Sequence, residues 1–333
     1  GGGGASSADY AYADMLLTQN DGDVARAARR FDAAMNPAGA LSVFTNAMDR
    51  SSELREAVRD EAQSGLSSRL WARVTGGKTK LKGISSGAQS IHTDTDAYGL
   101  TIGTEYGFST GAVGAAFAAG TGTTDNDDVS GEDDFDYYGL SLYGRTTAAG
   151  IDFLADASVT WLKSDLSIGD SADVSTDTTT TVWSIGGQMR KTFAFDWVDV
   201  TPFVGVDVYH IESDGFSNGH GAQIQDSDAT AVEFPIGAEF ARTFDTVSGM
   251  RISPRLSLAV VPSAGDTDID SAVAFAGARS NYNFTFADDI KIRSRLGVSA
   301  QKGNFQFGLH AGYDWGNEER QALSGLVNVR YAF

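Results

Sequence analysis

Tyr137-Tyr138-Gly139-Leu140-Ser141-Leu142-Tyr143, then Thr146-Thr147-Ala148-Ala149, then Ile151-Asp152-Phe153-Leu154-Ala155-Asp156-Ala157-Ser158-Val159-Thr160-Trp161 is the stretch on which the fold turns. In the first run Tyr138, Leu140 and Leu142 alternate with Tyr137, Gly139, Ser141 and Tyr143. In the second, Ile151, Phe153, Ala155, Ala157, Val159 and Trp161 alternate with Asp152, Leu154, Asp156, Ser158 and Thr160. A period of two places each set on one face of an extended strand. The short polar segment between the runs predicts a hairpin.

The same period continues outward from this hairpin, from Leu66 to the end of the chain. It predicts twelve strands, at roughly 66–82, 93–107, 111–122, 135–148, 150–163, 179–194, 196–211, 226–245, 248–262, 285–301, 304–316 and 321–333. In the seventh, Val198, Val200, Val204, Val206 and Val208 alternate with Asp199, Thr201, Gly205 and Asp207. In the last, Leu323, Val327, Val329, Tyr331 and Phe333 share one face, and Asn328 and Arg330 the other. Connections after the third, fifth, seventh and ninth strands are long and polar, such as Asp125–Asp134 and Ser263–Asn283. Those after the second, fourth, sixth, eighth and tenth are short, such as Lys302-Gly303. Long loops gathered at one end and an even strand number predict an all-β fold, a 12-stranded antiparallel transmembrane β-barrel of the outer-membrane type.

Composition agrees. The 333 residues include 39 Gly, 11 Tyr and 19 Phe but 5 Pro, which suits a large antiparallel sheet. A net charge of -19 argues against a nucleic-acid partner, because such binders need a cationic surface. The absence of Cys excludes disulfides, thiolate metal sites and Cys nucleophiles. Mean hydropathy is -0.19, and no run approaches the roughly 18–20 apolar residues of a membrane helix. Membrane barrels escape such a scan, because each strand carries only about 10 alternating residues. No signal peptide is visible, and Gly1-Gly2-Gly3-Gly4 reads as either a processed or an engineered end.

Before Gly65 the pattern is helical. Asp23 caps a predicted helix with Val24, Ala27, Ala28, Phe31 and Met35 on its apolar face, and Asn36-Pro37 starts a second that carries Phe44 and Met48. A third runs from about Ser52 to a C-cap at Gly65, with Leu54, Val58 and Ala62 recurring every four residues. Residues 1–65 therefore read as a helical linker and 66–333 as the barrel. Strands ~4.8 Å apart and tilted ~40° give a barrel roughly 24 Å across. Inward side chains leave about 12 Å, close to the ~10–12 Å width of one helix. The expectation is an α-helical segment threading the pore; a solvated periplasmic helix is the alternative. The helix offers Asp49, Glu53, Glu56, Asp60 and Glu61, and the predicted inward faces offer Arg69, Arg73, Arg251, Arg255, Lys291, Arg293, Arg295 and Arg330. A cationic wall facing an acidic helix is predicted, diluted by Arg50, Arg55 and Arg59.

These residues bear a family likeness over nearly the whole chain. The sequence resembles the C-terminal translocator domain of classical autotransporters, the type V secretion proteins. Trp71-Ala72-Arg73-Val74-Thr75-Gly76-Gly77 is similar to the family's first-strand W-x-R-x-x-G pattern. Ala97–Gly103 with Tyr106, and Gly111–Phe117, are similar to its second and third strands. Val200-Thr201-Pro202-Phe203-Val204-Gly205 followed by Asp214-Gly215-Phe216-Ser217 is similar to its T-P-[FY]-x-G strand and D-G-F loop. The end, Val329-Arg330-Tyr331-Ala332-Phe333, is similar to its terminal aromatic signal. The resemblance implies an outer-membrane barrel of a Gram-negative bacterium that sends its own N-terminal passenger to the cell surface. It also implies outer-membrane lipid as surroundings and assembly machinery that reads Val327, Val329, Tyr331 and Phe333. Two positions depart from the pattern: Asn46 is followed by Ala47 where one subgroup severs an Asn-Asn pair, and Asn218 stands where many members carry an acid. The competing function is an outer-membrane diffusion channel or adhesive barrel without a secreted passenger.

Enzymatic chemistry finds no foothold. No G-x-S-x-G or P-loop pattern occurs, and His92, His210, His220 and His310 match no zinc spacing. An EF-hand frame from Asp125 puts Val129 at position five; from Asn126 it ends on Tyr137 rather than Glu. That segment, and Asp266, Asp268 and Asp270, read as solvated acidic loops. No catalytic residue, metal or cofactor is predicted.

Overall fold

The computed structural model describes residues 38–62, 68–86, 89–126, 131–168, 175–217, 223–275, 278–317 and 319–333. The helix expected around Asp23–Met35, the Asn36-Pro37 start of its successor, the Gly65 cap, Gly1 to Gly4, Asn218 and His220 lie outside the described residues. One helix, α1 (Ala38–Ala62), comes first. It runs unbroken through Ser51-Ser52, where the sequence had suggested a new start. Ser51 does not cap; it is buried, and its hydroxyl donates to Ser184 Oγ at 3.2 Å on the surrounding wall. At ~1.5 Å per residue α1 is about 37 Å long, enough to cross a bilayer core of ~30 Å.

Twelve long strands follow: β1 (Arg69–Ser86), β2 (Gln89–Phe108), β3 (Gly111–Asn126), β4 (Gly131–Ala148), β5 (Ile151–Ile168), β6 (Ser175–Arg190) and β7 (Asp199–Ser213). β8 comes in two pieces, Ser227–Glu233 and Ile236–Ala241. β9 (Arg251–Gly265), β10 (Ile290–Lys302), β11 (Phe305–Gly316) and β12 (Gln321–Ala332) complete the set. Each pairs antiparallel with the next, and β12 returns to β1 with Arg69 opposite Ala332. Phe333 N then donates to Ser68 O at 3.0 Å. Closure leaves no sheet edge, which lets a strand structure sit in hydrocarbon with its backbone satisfied. Pro235, which has no N–H, interrupts β8 without shifting register: Glu233 faces Asp207 and Ile236 faces Val204.

Two expected loops are strands. The β3–β4 ladder continues to Asn126 opposite Gly131, so most of Asp125–Asp134 is a hairpin stem. Polar cross-strand pairs such as Thr123 Oγ1 to Asp134 Oδ1, 2.7 Å, extend it beyond the apolar zone. Over most of Ser263–Asn283 and just beyond it, Asp268–Phe275 pairs with Ala278–Thr285. That hairpin joins Gln223–Ile224 and Phe216–Ser217 in a separate four-stranded sheet at the same end. Apolar alternation there was hidden among aspartates.

The alternating faces divide between lipid and lumen. On β2, Leu100 and Ile102 are exposed between exposed Tyr98 and Tyr106. Eight residues of tilted strand separate these rings by about 20 Å, near the height of a barrel's apolar band. The opposite face carries buried Thr93, Thr95, Ala97, Thr101 and Glu105. Among the described residues no helix is long and apolar enough to cross a membrane by itself.

Candidate functional site: a helix held in the lumen

Glycines in the wall decide where the helix rests. A Cβ on Gly139 (β4) would stand 2.7 Å from Leu54 Cδ2, and one on Gly186 (β6) 2.1 Å from Arg55 Nη2. Removing side chains at these points lets α1 pack against β4, β5 and β6, with β2, β3 and β7 beside them. Elsewhere the freed space takes inward aromatics: Trp71 over Gly103, Tyr143 over Gly114 and Tyr137 over Gly120. Trp71 Nε1–H donates to Tyr143 Oη at 2.9 Å.

The helix enters at the long-connection end. There Ser42 Oγ and Asn46 Nδ2 donate to Asp133 Oδ2 at 3.1 and 3.3 Å, and Asn46 Nδ2 also reaches Thr124 Oγ1 at 2.8 Å. Phe44 meets Phe286 of the connection that carries the outer sheet, with ring centroids 5.8 Å apart, in a cluster with Val43, Phe216, Ile224 and Ile269. Asn46-Ala47 is thus an interior, buried peptide of α1. At the short-turn end Glu61 accepts from Arg330 Nη2 at 3.0 Å and from Asn328 Nδ2 at 3.2 Å.

Charges on α1 meet two unlike sectors of wall. Against β5 and β7, Arg55 and Arg59 share Asp156 and Asp207. Arg55 Nε lies 2.6 Å from Asp156 and its Nη2 3.1 Å from Asp207; Arg59 Nε lies 2.7 Å from Asp156. This four-membered clamp is dry: the Arg55 and Asp156 side chains are 2% and 1% exposed. Buried charges of this kind need mutual pairing, because desolvation is expensive. Across the lumen the signs reverse. Glu56 meets Arg293 at 2.8 Å and Arg295 at 3.1 Å, both of which share Asp314. Asp60 meets Arg73 at 3.2 Å, and Asp49 pairs with Arg320.

Several predicted bases pair with acids of the wall itself. Arg69 pairs with Glu105, Lys291 with Glu233 and Arg255 with Glu239, all wall to wall. Arg251 has inward parity but sits at the barrel rim, 58% exposed and 3.5 Å from Asp245. Glu53 pairs with Arg50 on α1 itself. The sequence reading missed Asp156 and Asp207 and treated the helix arginines as dilution. The signal was present, since alternation had put both aspartates on the inward faces.

Gly186→Ala tests the close approach. The added methyl would also stand 2.4 Å from the Val206 carbonyl oxygen and 2.6 Å from Asp207 Oδ1, so it must shift the wall as well as displace Arg55 from the clamp, at roughly 1–3 kcal/mol for an overpacked site. The expected result is a lower midpoint for heat unfolding in mild detergent; an unchanged midpoint would show that Arg55 and the neighbouring wall shift freely.

The last strand presents Val327 and Tyr331 outward, with Phe333 beyond it, all exposed, and Val329 half-buried; Tyr331 packs on Phe305 with centroids 4.8 Å apart. Among the described residues no cluster of three or more potential metal ligands occurs.

A closed twelve-stranded barrel, apolar outside and filled by one charged helix, defines an outer-membrane β-barrel with an occupied pore. Residues 70–314 match the family described as autotransporter beta-domain, and the chain belongs to that family. It is an outer-membrane translocator barrel that presents a passenger at the cell surface. The fold is similar to the translocator domain of NalP from Neisseria meningitidis, with a TM-score of 0.68 at 15% identity over 88% of this chain and 98% of that one. It is also similar to the transport unit of AIDA-I from Escherichia coli, with a TM-score of 0.64 at 15% identity over 81% and 92%. The β-domain of BrkA from Bordetella gives 0.58 at 17% identity over 80% and 100%. Comparison with curated protein sequences finds no match.

Proposed function

We propose that residues 1–65 are the trailing end of this chain's own passenger, that 66–333 are the export barrel, and that α1 is what remains in the pore once export is complete. One observation carries this reading: α1 runs through the lumen with Ala38 at the long-connection end and Ala62 at the short-turn end. Whatever precedes Ala38 then emerges outside the cell. The exposed apolar belt suits outer-membrane lipid, and the exposed aromatic face of the final strand suits recognition by the barrel assembly machinery. The barrel acts by passage and anchorage, with no chemical step of its own. An epitope inserted before Ala38 is expected to be labelled by antibody on intact cells and removed by external protease. Labelling only after the outer membrane is permeabilised would reverse the proposed orientation.

A further inference from the structure

The two sides of α1 differ in more than sign. Against β5 and β7 the contacts are dry. On the opposite side the helix stands off, and long side chains bridge the gap. Glu56 and Arg295 are each 25% exposed and Asp60 is 40% exposed, although all three lie inside the lumen. Two cavities fill that gap. The outer one, about 100 Å³, reaches from Thr79, Asp49 and Arg320 down to Glu56. The inner one, about 90 Å³, reaches from Glu56 down to Arg190, Phe203 and His310. Both are walled by Glu56, Arg73, Arg293 and Arg295, so the Glu56 bridge is the partition between them. The inner cavity is lined by six guanidiniums, Arg59, Arg73, Arg190, Arg255, Arg293 and Arg295, against three carboxylates, Glu56, Asp60 and Glu239.

We propose that the barrel conducts small inorganic anions through this gap while α1 remains in place, and that Glu56 with Arg293 and Arg295 forms the constriction. Guanidiniums lining a narrow passage favour anions, and low-dielectric walls concentrate that field. The acids along this path are outnumbered: Glu56, Asp60 and Glu239 face six guanidiniums in the inner cavity, and Asp49, Glu53, Glu56 and Asp314 face six bases in the outer one, while Asp156 and Asp207 have their charges engaged by Arg55 and Arg59. Glu56 projects a carboxylate into the path and ties α1 to Arg293 and Arg295 across it. Neutralising it removes the local anion barrier and the tie, while the dry clamp still holds the helix.

The test uses the full chain in planar bilayers with chloride as the probe anion. Under a potassium chloride gradient of roughly tenfold, the current of the unaltered protein is expected to reverse near the chloride equilibrium potential. Glu56→Gln should raise single-channel conductance by about two- to fivefold and keep the anion preference. Arg293→Gln combined with Arg295→Gln should move the reversal potential toward zero. No current, or a cation preference, in the unaltered protein overturns the proposal. So does an unchanged Glu56→Gln conductance. A Glu56→Gln conductance as large as that of a variant with both Asp156 and Asp207 replaced by Asn would mean that Glu56 retains the helix and does not gate a path, which also overturns it. Heat-dependent migration in detergent identifies folded barrels, so only inserted protein is scored.

Discussion

Deleting Tyr331-Ala332-Phe333 is expected to leave the chain in the periplasm, unfolded and sensitive to protease. These residues close the seam where β12 meets β1. Tyr331 stands opposite Leu70 and Ala332 opposite Arg69. Ala332 N donates to Asn304 O at 2.9 Å and Phe333 N to Ser68 O at 3.0 Å. Their loss strips hydrogen bonds from one rim of the barrel and removes the Tyr331 ring from Phe305. Backbone groups left unpaired away from water cost several kcal/mol each; at this rim interfacial water recovers part of that, leaving a loss of about 1–3 kcal/mol, a large share of the stability of a domain. If assembly machinery also reads this face, the kinetic defect compounds the thermodynamic one. Fractionation of the outer membrane should show a loss of more than about tenfold, since ~1.4 kcal/mol already corresponds to a factor of ten. Outer-membrane levels equal to those of the intact chain would remove the terminal residues from both roles.

The second large effect falls on the clamp. Replacing Asp156 and Asp207 together with Asn leaves Arg55 and Arg59 facing a neutral wall. Breaking a buried ion pair by removing one partner typically costs about 3–5 kcal/mol, because the remaining charge is stranded away from water. Here two guanidiniums are stranded at once. The expected outcome is release of α1: conductance jumps to that of an open barrel, and residues 38–62 become open to protease. Adding Arg55→Gln and Arg59→Gln to the same chain should restore much of the retention, because no unpaired charge then remains buried. A double aspartate variant that stays closed and protected would show that apolar packing of Val43, Phe44, Leu54 and Val58 holds the helix by itself. The Glu56 bridge should matter less to retention. It is a quarter exposed, and solvated pairs contribute under ~1 kcal/mol.

Barrel, strand number and the identity of the pore segment are all legible along the chain. The alternation of Ile151 to Trp161 with Asp152 to Thr160 assigns faces residue by residue, because a strand has only two. Short turns such as Lys302-Gly303 mark one end, and the stripe Leu54, Val58, Ala62 marks a helix wide enough to fill the lumen. Loop limits were less legible. Beyond the apolar belt, β3 and β4 are held by polar pairs such as Thr123 with Asp134, and polar pairs leave no hydrophobic rhythm to read.

What the sequence by itself determined, then, is the side of the wall on which each residue lies: Asp156, Asp207, Arg293 and Arg295 all point inward by parity alone. Which of them faces which side of α1 was decided only in three dimensions. Parity carries no information about position around the barrel, and helical spacing carries none about how the helix is turned within it. That turn is set by where the wall allows close approach, at Gly139 and Gly186 on β4 and β6. Once Leu54 and Arg55 settle there, Arg55 and Arg59 must meet the aspartates of β5 and β7, and Glu56 must look across the lumen to Arg293 and Arg295, more than two hundred residues further along the chain.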